Sequence, residues 1–288
     1  MFACTLFGID RQVYYRKIKR RIIKQDKAAL VVTMVLEIRT QMPRIGAKKL
    51  YYLLSNDLKI LKTGRDKFID ILRANHLLVI PKRSYHITTN SHHRFRKYKN
   101  QLLDLQINKP EQVWVSDITY IGKREKPCYL SLITDAYSKK IVGYNVSDNL
   151  NTESSLVALR LALKQRKNKE IPLIHHSDRG LQYCANEYQK LLNKNQIQPS
   201  MTQNSDPYEN AVAERINGIL KQEFYIDKYN KDLPIMKQII KETVDIYNEK
   251  RPHLSNHMLT PNKMHEQSKV VMKTYKTKNS IKNVFDAV

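Results

Sequence analysis

Cysteine is scarce in this 288-residue chain: Cys4, Cys128 and Cys184 stand far apart and form no C-x-x-C pair. So sparse and odd a set argues against a secreted disulfide framework and fits reduced thiols. No apolar run approaches the roughly 18 residues of a membrane span, and the opening MFACTLFGID turns polar too soon for a signal peptide. The expectation is a soluble, intracellular protein with no membrane partner. Acidic residues are the other shortage, since 27 Asp plus Glu face 51 Lys plus Arg, a formal net charge of +24. Residues 1–110 hold 24 basic and 7 acidic residues, which leaves 27 and 20 for the remainder. A basic front half joined to a milder rear half suits a polyanion gripped mainly by the front.

Along the chain, residues 1–30 read as two short helices around a turn at Gly8-Ile9-Asp10, the second dense in Arg, Lys and Tyr. Arg11 and Arg16 on that helix are candidate phosphate contacts. A second helical unit follows Pro43: residues 44–54 and 65–78 each place apolar residues at helical spacing, joined through LKTG. Two such helices resemble a helix-turn-helix, with Lys48, Lys49 and Arg65 as candidate DNA contacts. Residues 80–110 are basic, polar and poor in aliphatics; His92-His93 has no cysteine nearby to complete a zinc site.

From residue 112 the pattern becomes strand-like. Stretches 112–122, 128–137 and 140–148 are rich in Val, Ile, Tyr and Thr. A helix over 154–167, a strand over 172–178, a helix over 185–195, a strand over 197–202 and a helix over 207–224 follow. The pattern predicts an α/β fold, a mixed five-stranded sheet flanked by helices and preceded by an all-α region. The expected division is a basic helical segment over 1–38, a helix-turn-helix-like region over 39–95, a basic linker over 96–109, the α/β unit over 110–266 and a Lys-rich tail over 267–288.

Three carboxylates stand out. Asp117 lies mid-strand among apolar and β-branched neighbours, where an ionised carboxylate is costly to bury unless paired or bound to a metal. Asp178 follows the apolar stretch PLIHH at a strand end, and Glu214 sits on the helix opened by Asp206-Pro207-Tyr208-Glu209. At about 100° per residue, Asn210, Glu214, Asn217 and Lys221 share one stripe of that helix. Val212, Ile216, Ile219 and Leu220 share the other side. Two strands and one helix would thus bring three carboxylates to one place, a donor set suited to Mg²⁺, which favours oxygen ligands. Phosphodiester cleavage can use a pair of such ions.

The spacing, 60 residues between the two aspartates and 35 between Asp178 and Glu214, resembles the DDE triad of retroviral integrases and insertion-sequence transposases. The motifs WVSDITYI, HSDRGLQY, NAVAERINGILKQE and YNEKRPH with a later TP are similar to those of the IS-three family of bacterial insertion sequences. The likeness covers residues 108–265 strongly, and 40–95 is similar to that family's helix-turn-helix-like segment. It implies an RNase H-like integrase core that cuts and rejoins DNA by in-line transesterification. Asp117, Asp178 and Glu214 would be the catalytic residues and would bind Mg²⁺ or Mn²⁺, two ions to a site. Lys221, seven positions after Glu214, would contact DNA near the cut, with His176 and Asn210 beside the site. Tyr247, Asn248, Arg251, Pro252 and His253 would be structural. The implied partners are the element ends, target DNA, further copies of the chain and a protein from an upstream reading frame, in a bacterial cytoplasm at the nucleoid. LFGIDRQVYY resembles the end of a helix-turn-helix that begins upstream. Two departures from the family are Ser205 where a Gly is usual and Glu209 where Asp is frequent. A structure-specific RNase H-like nuclease would need a fourth carboxylate, for which Asp135 and Asp148 are the candidates. An inactive DNA-binding remnant would have lost a member of the triad, and all three are present.

Overall fold

The computed structural model describes residues 4, 6–80, 98–102, 105–122, 127–203, 210–229 and 231–267. The His92-His93 pair, Ser205, Glu209, the expected helix opening at 206–209 and the Lys-rich tail from 268 lie outside the described residues. The front of the chain is all helix: α1 (Arg11–Gln41), α2 (Ala47–Leu53), α3 (Ser55–Ile60) and α4 (Arg65–Ala74). Asp10 caps α1, its Oδ1 accepting from the N–H groups of Gln12 at 2.6 Å and Val13 at 3.3 Å.

Helix α1 is longer than the sequence suggested. It runs through residue 38, where a segment boundary was expected, because a second apolar stripe takes over. Val31 and Val35 are fully buried, with Met34 and Ile38 packed beside them, against a cluster that includes Phe68 and Leu72. Residues 11–26, by contrast, are exposed throughout. The expected pair of helices over 44–78 is three, since α3 forms around buried Leu58 within the connection.

Behind these lies a five-stranded sheet in the order β3-β2-β1-β4-β5. Its strands are β1 (Val113–Ile121), β2 (Cys128–Asp135), β3 (Ile141–Ser147), β4 (Leu173–Ser177) and β5 (Ile197–Met201). The first three form an antiparallel meander, and β4 and β5 run parallel to β1. This is the mixed five-stranded sheet that the strand pattern predicts. Helices α5 (Thr152–Gln165), α6 (Leu181–Cys184) and α7 (Asn186–Lys194) precede α8 (Ala211–Glu223), α9 (Leu233–Glu249) and α10 (Pro261–Glu266).

Alternation along the strands sorts the side chains onto two faces. Trp114, Ile133, Val142 and Leu173 meet Leu156, Leu159, Tyr188 and Leu192 of α5 and α7. On the other face Leu130, Leu132, Ile141 and Val146 join Ile216, Ile219 and Leu220 of α8 and Ile240, Val244 and Tyr247 of α9, and this cluster continues into the N-terminal helices. Each fully buried Val, Leu, Ile or Phe stabilises such a core by about 1.5–3 kcal/mol. Leu102, Leu105 and Ile107 of the basic stretch before the sheet pack on Val113, Val115 and Ala213.

Residues 247–256 are fastened to the sheet and its turns by polar groups. Asn248 accepts from the Ile141 N–H at 3.0 Å and donates to its carbonyl at 3.0 Å, acting as one more rung on edge strand β3. Tyr247 donates to the Lys139 carbonyl at 2.8 Å, and Asn256 to that of Ser138 at 2.6 Å. Pro252 and His253 are buried, the latter 3.2 Å from the Tyr247 hydroxyl.

Close approach of α5 to β3 depends on Gly143, where an added Cβ would stand 2.2 Å from the Ala158 carbonyl oxygen and 2.9 Å from the Ala162 Cβ. Backbone cannot give way as a flexible side chain can. Gly143→Ala is therefore expected to lower unfolding stability by about 1–3 kcal/mol in a denaturant titration. An unchanged midpoint would show that the α5 contact is loose.

Candidate active site

Asp117 occupies the middle of β1, the central strand, hydrogen-bonded to a neighbour on each side. Parallel pairing sets Ser116 opposite Ser177. One residue further along, Asp117 and Asp178 therefore leave adjacent strands side by side, with strand axes about 4.8 Å apart. Because residues alternate, Asp117 lies on the same face as Val113 and Val115, the face that α8 covers.

Helix α8 brings the third acid and more. Its Asn217 donates to Asp117 Oδ2 at 2.7 Å, while the Ile118 N–H donates to Oδ1 at 2.9 Å. Asn210, at the start of α8, donates to the Ser116 carbonyl at 3.1 Å. Both bonds moor the helix to the strand on either side of Glu214. Asp178 is set by a tight turn in which the Gly180 N–H donates to Oδ1 at 3.0 Å. A Cβ at Gly180 would also stand only 3.0 Å from that oxygen. Arg179 holds the turn down through a 2.7 Å bond to the Thr202 carbonyl.

Exposure is graded: Asp117 and Asp178 are half-buried and Glu214 is exposed. Desolvation, followed by the nearby Asp178 charge, pushes the Asp117 carboxyl up to about 7; Glu214 adds to the rise, and the bonds from Ile118 and Asn217 oppose it. Burial also raises Glu214. Lys221, on the same helix stripe, is pulled down by burial and back up by Asp117, which puts an ammonium near that carboxylate. Among the described residues no group of three His, Cys, Asp or Glu side chains is drawn together tightly enough to hold one ion. The donors on this shelf are oxygens throughout. Asn217 Oδ1, buried next to Asp117, has no hydrogen-bond partner among the described residues. Oxygen donors of this kind, on a carboxyl that feels the charges of two others, are the sort a hard divalent cation takes.

Other sequence candidates fall elsewhere. Arg11, Arg16, Lys48 and Arg65 are exposed on the N-terminal helices. Lys49, expected on a DNA-facing surface, is instead buried in an ion pair with Glu223 at 2.8 Å. His176 is fully buried, its Nδ1 2.9 Å from Ser200 Oγ between β4 and β5, so it braces strands instead of meeting solvent. Asp135 stays out of the site: it is fully buried, accepting from the Glu111 N–H at 2.7 Å and from the Ser138 N–H at 2.8 Å. Asp148 is exposed beyond β3, bonded to Asn149 at 2.9 Å. Asn217 had drawn attention only as part of a polar stripe. Its spacing of three from Glu214 was the available signal for its contact with Asp117.

Two integrase core domain models match the chain, over residues 107–207 and 195–261. An insertion element IS600 uncharacterized 31 kDa protein of Shigella sonnei is 33% identical over 258 residues, covering 87% of this chain and 92% of the relative. The putative transposase InsK for IS150 of Escherichia coli K12 is 29% identical over 178 residues, 58% of this chain and 62% of that one. The transposase for IS904 of Lactococcus lactis is 34% identical over 148 residues, 50% and 57% respectively. Among solved structures, the HTLV-2 integrase catalytic core domain in complex with magnesium aligns over 55% of this chain and 97% of its own, with a TM-score of 0.43 and 19% identity. With 33% identity to an insertion-element protein over nearly the whole of both chains, and integrase core matches spanning the sheet and its covering helices, the chain belongs to the IS-three-like family of insertion-sequence transposases.

Proposed function

We propose that this transposase cuts DNA strands and joins them to new sites in a reaction dependent on Mg²⁺ or Mn²⁺, with Asp117, Asp178 and Glu214 as the catalytic, metal-holding residues. The observation that carries this is the delivery of Asp117 and Asp178 from adjacent parallel strands beneath α8, which bears Glu214; burial first, then the Asp178 charge, raises the Asp117 carboxyl. Two divalent ions held there would polarise the scissile phosphate and activate the attacking oxygen. The chain's own groups do the arranging. Asn217 and the Ile118 N–H leave Asp117 little freedom to turn, and the Gly180 N–H does the same for Asp178. Lys221 would meet a phosphate next to the cut.

The chemistry is two displacements at phosphorus. Water first attacks the element's strand, and the 3′-oxygen leaves as a hydroxyl. That hydroxyl then bonds to a target phosphorus while the target's own 3′-oxygen departs, so one phosphodiester replaces another with no energy-rich cofactor. DNA reaches the site along a basic surface that includes Arg11, Arg16, Lys48 and Arg65 on the N-terminal helices. Further copies of the chain would bring two element ends together, and a protein of an upstream reading frame would join them.

Asp178→Asn should lower cleavage and joining by about 10³-fold or more while salt-sensitive DNA binding persists. Near wild-type cleavage by that variant in Mg²⁺ would remove the assignment. Asn217→Ala, which frees Asp117 to turn, is expected to raise the Mg²⁺ concentration for half-maximal cleavage by about 10–100-fold. An unmoved metal midpoint would leave Asn217 a packing residue.

A third expectation concerns pH. Unfolded, Asp117 loses its proton near 3.8; folded, it keeps the proton up to about 7. Within that window the folded chain binds more protons, so this group's contribution to stability falls as pH rises. Metal competes with the proton for the same oxygens. Mg²⁺ should therefore raise the melting temperature more at about pH 8 than at about pH 5, a difference that Asp117→Asn abolishes. Equal stabilisation at both pH values would contradict metal binding at Asp117.

A further inference from the structure

Glu223 ends α8 in an unfavourable place. A carboxylate at a helix C-terminus faces the negative end of the helix dipole, and burial adds to its cost. Two cations offset this. Arg251, just beyond α9 and fully buried, grips it bidentately, Nε to Oε2 at 2.9 Å and Nη2 to Oε1 at 2.8 Å. Lys49, on α2, donates to the same Oε1 at 2.8 Å. The backbone adds a fourth tie, the Arg44 N–H donating to the Glu223 carbonyl at 3.0 Å. Arg251 and Lys49 together hold the Glu223 carboxyl below its ordinary range against the opposing effect of burial. Arg251 also lies over the Tyr247 ring, 5.6 Å from its centroid, so the anchor itself is fixed.

Glu223 lies nine positions after Glu214, which places them about 13 Å apart along α8 and on opposite sides of it. A helix held at that end works as a lever. A tilt of about 5° there displaces Glu214 by about 1 Å, and misplacements of that size can cost about 10²-fold in rate. Lys49 stands on the N-terminal helical region, and Arg251 on the sheet-bearing part of the chain. The ion cluster is therefore a junction between the two, built directly onto the helix that carries the third acid.

We propose that Glu223 is a positioning residue: through Lys49 it ties the N-terminal helices to α8 and so sets the attitude of Glu214. This inference rests on the metal-dependent reading above for what Glu214 does. It assigns Lys49 to the alignment of the site, and DNA contact to its exposed neighbours.

Lys49→Met is the informative variant, because the Glu223–Arg251 pair stays intact and the fold keeps its anchor. The full chain would be compared with Lys49→Met and Lys49→Arg in three measurements: DNA affinity, single-turnover cleavage at saturating DNA in Mg²⁺, and amide exchange across residues 211–223. Lys49→Met is expected to cut about 10–100-fold more slowly, with DNA affinity within about twofold of wild type, and Lys49→Arg to recover most of the rate. Exchange in the last turns of α8 should quicken about fivefold or more in Lys49→Met. Weakened DNA binding with an unchanged rate at saturation would overturn the proposal and make Lys49 a DNA contact. Lower thermal stability with α8 exchange and cleavage unchanged would also overturn it. If the wild-type chain does not cut DNA, the metal-dependent reading fails by itself, and α8 exchange in Lys49→Met still decides whether the clamp governs the helix.

Discussion

Carboxylates that repel one another stay close only where backbone cannot yield, and the architecture around Asp117 follows from that constraint. Had Asp117 stood on an edge strand, or Asp178 on a free loop, repulsion would have been relieved by movement. Here β1 is bonded on both sides, β4 delivers Asp178 from the adjacent parallel strand, and the Gly180 amide ties down the turn that follows. Burial, and after it the Asp178 charge, is instead expressed as a raised proton affinity at Asp117. The graded exposure of the three acids fits the same account. The innermost group suffers most, and the exposed Glu214 is relieved by water.

The strongly basic chain makes this acidic shelf more significant. A net charge of +24 favours nucleic acid as a partner and disfavours free cations near the protein. Around Asp117 the charges of Asp178 and Glu214 act in the opposite sense. Lys221 stands at the border between the two regimes, its ammonium disfavoured by burial and favoured by the charge of Asp117. The long exposed stretch of α1 is the opposite extreme, a run of cations with no acidic cluster to counter it.

Much of this was legible before any coordinates. All five strands lie within the stretches expected of them, the first three rich in Val, Ile, Tyr and Thr and the last two short runs between helices. Asp117 stood out for a chemical reason, an ionisable group amid Val and Ile being costly to bury unless paired or bound. What escaped detection depends on long-range packing. Lys49 differs from Lys48 in the string only by its position, yet one is buried and the other exposed, because Glu223 lies 174 residues away in sequence. His176 looked like a site residue from its motif but turned inward to Ser200, and the parallel neighbour β5 that decides this is invisible locally. Helix α1 ran on past its expected end because Val31 and Val35 meet Phe68 and Leu72, a contact no local window contains.

Helix α8 brings these strands of argument together, since three demands fall on one element of 13 residues. Its apolar side must fit the sheet, its polar stripe must present Glu214 and hold Asp117, and its end must satisfy a buried carboxylate between two cations. A helix free to rotate could meet any one of these demands by giving up another. Because the demands lie on different sides and at different heights, they fix rotation and tilt together. The cost of Glu223 is thus intelligible as geometry: apolar contacts alone tolerate sliding, whereas a bidentate arginine bond does not. The position least like a helix terminus by charge is the one that makes the terminus immovable.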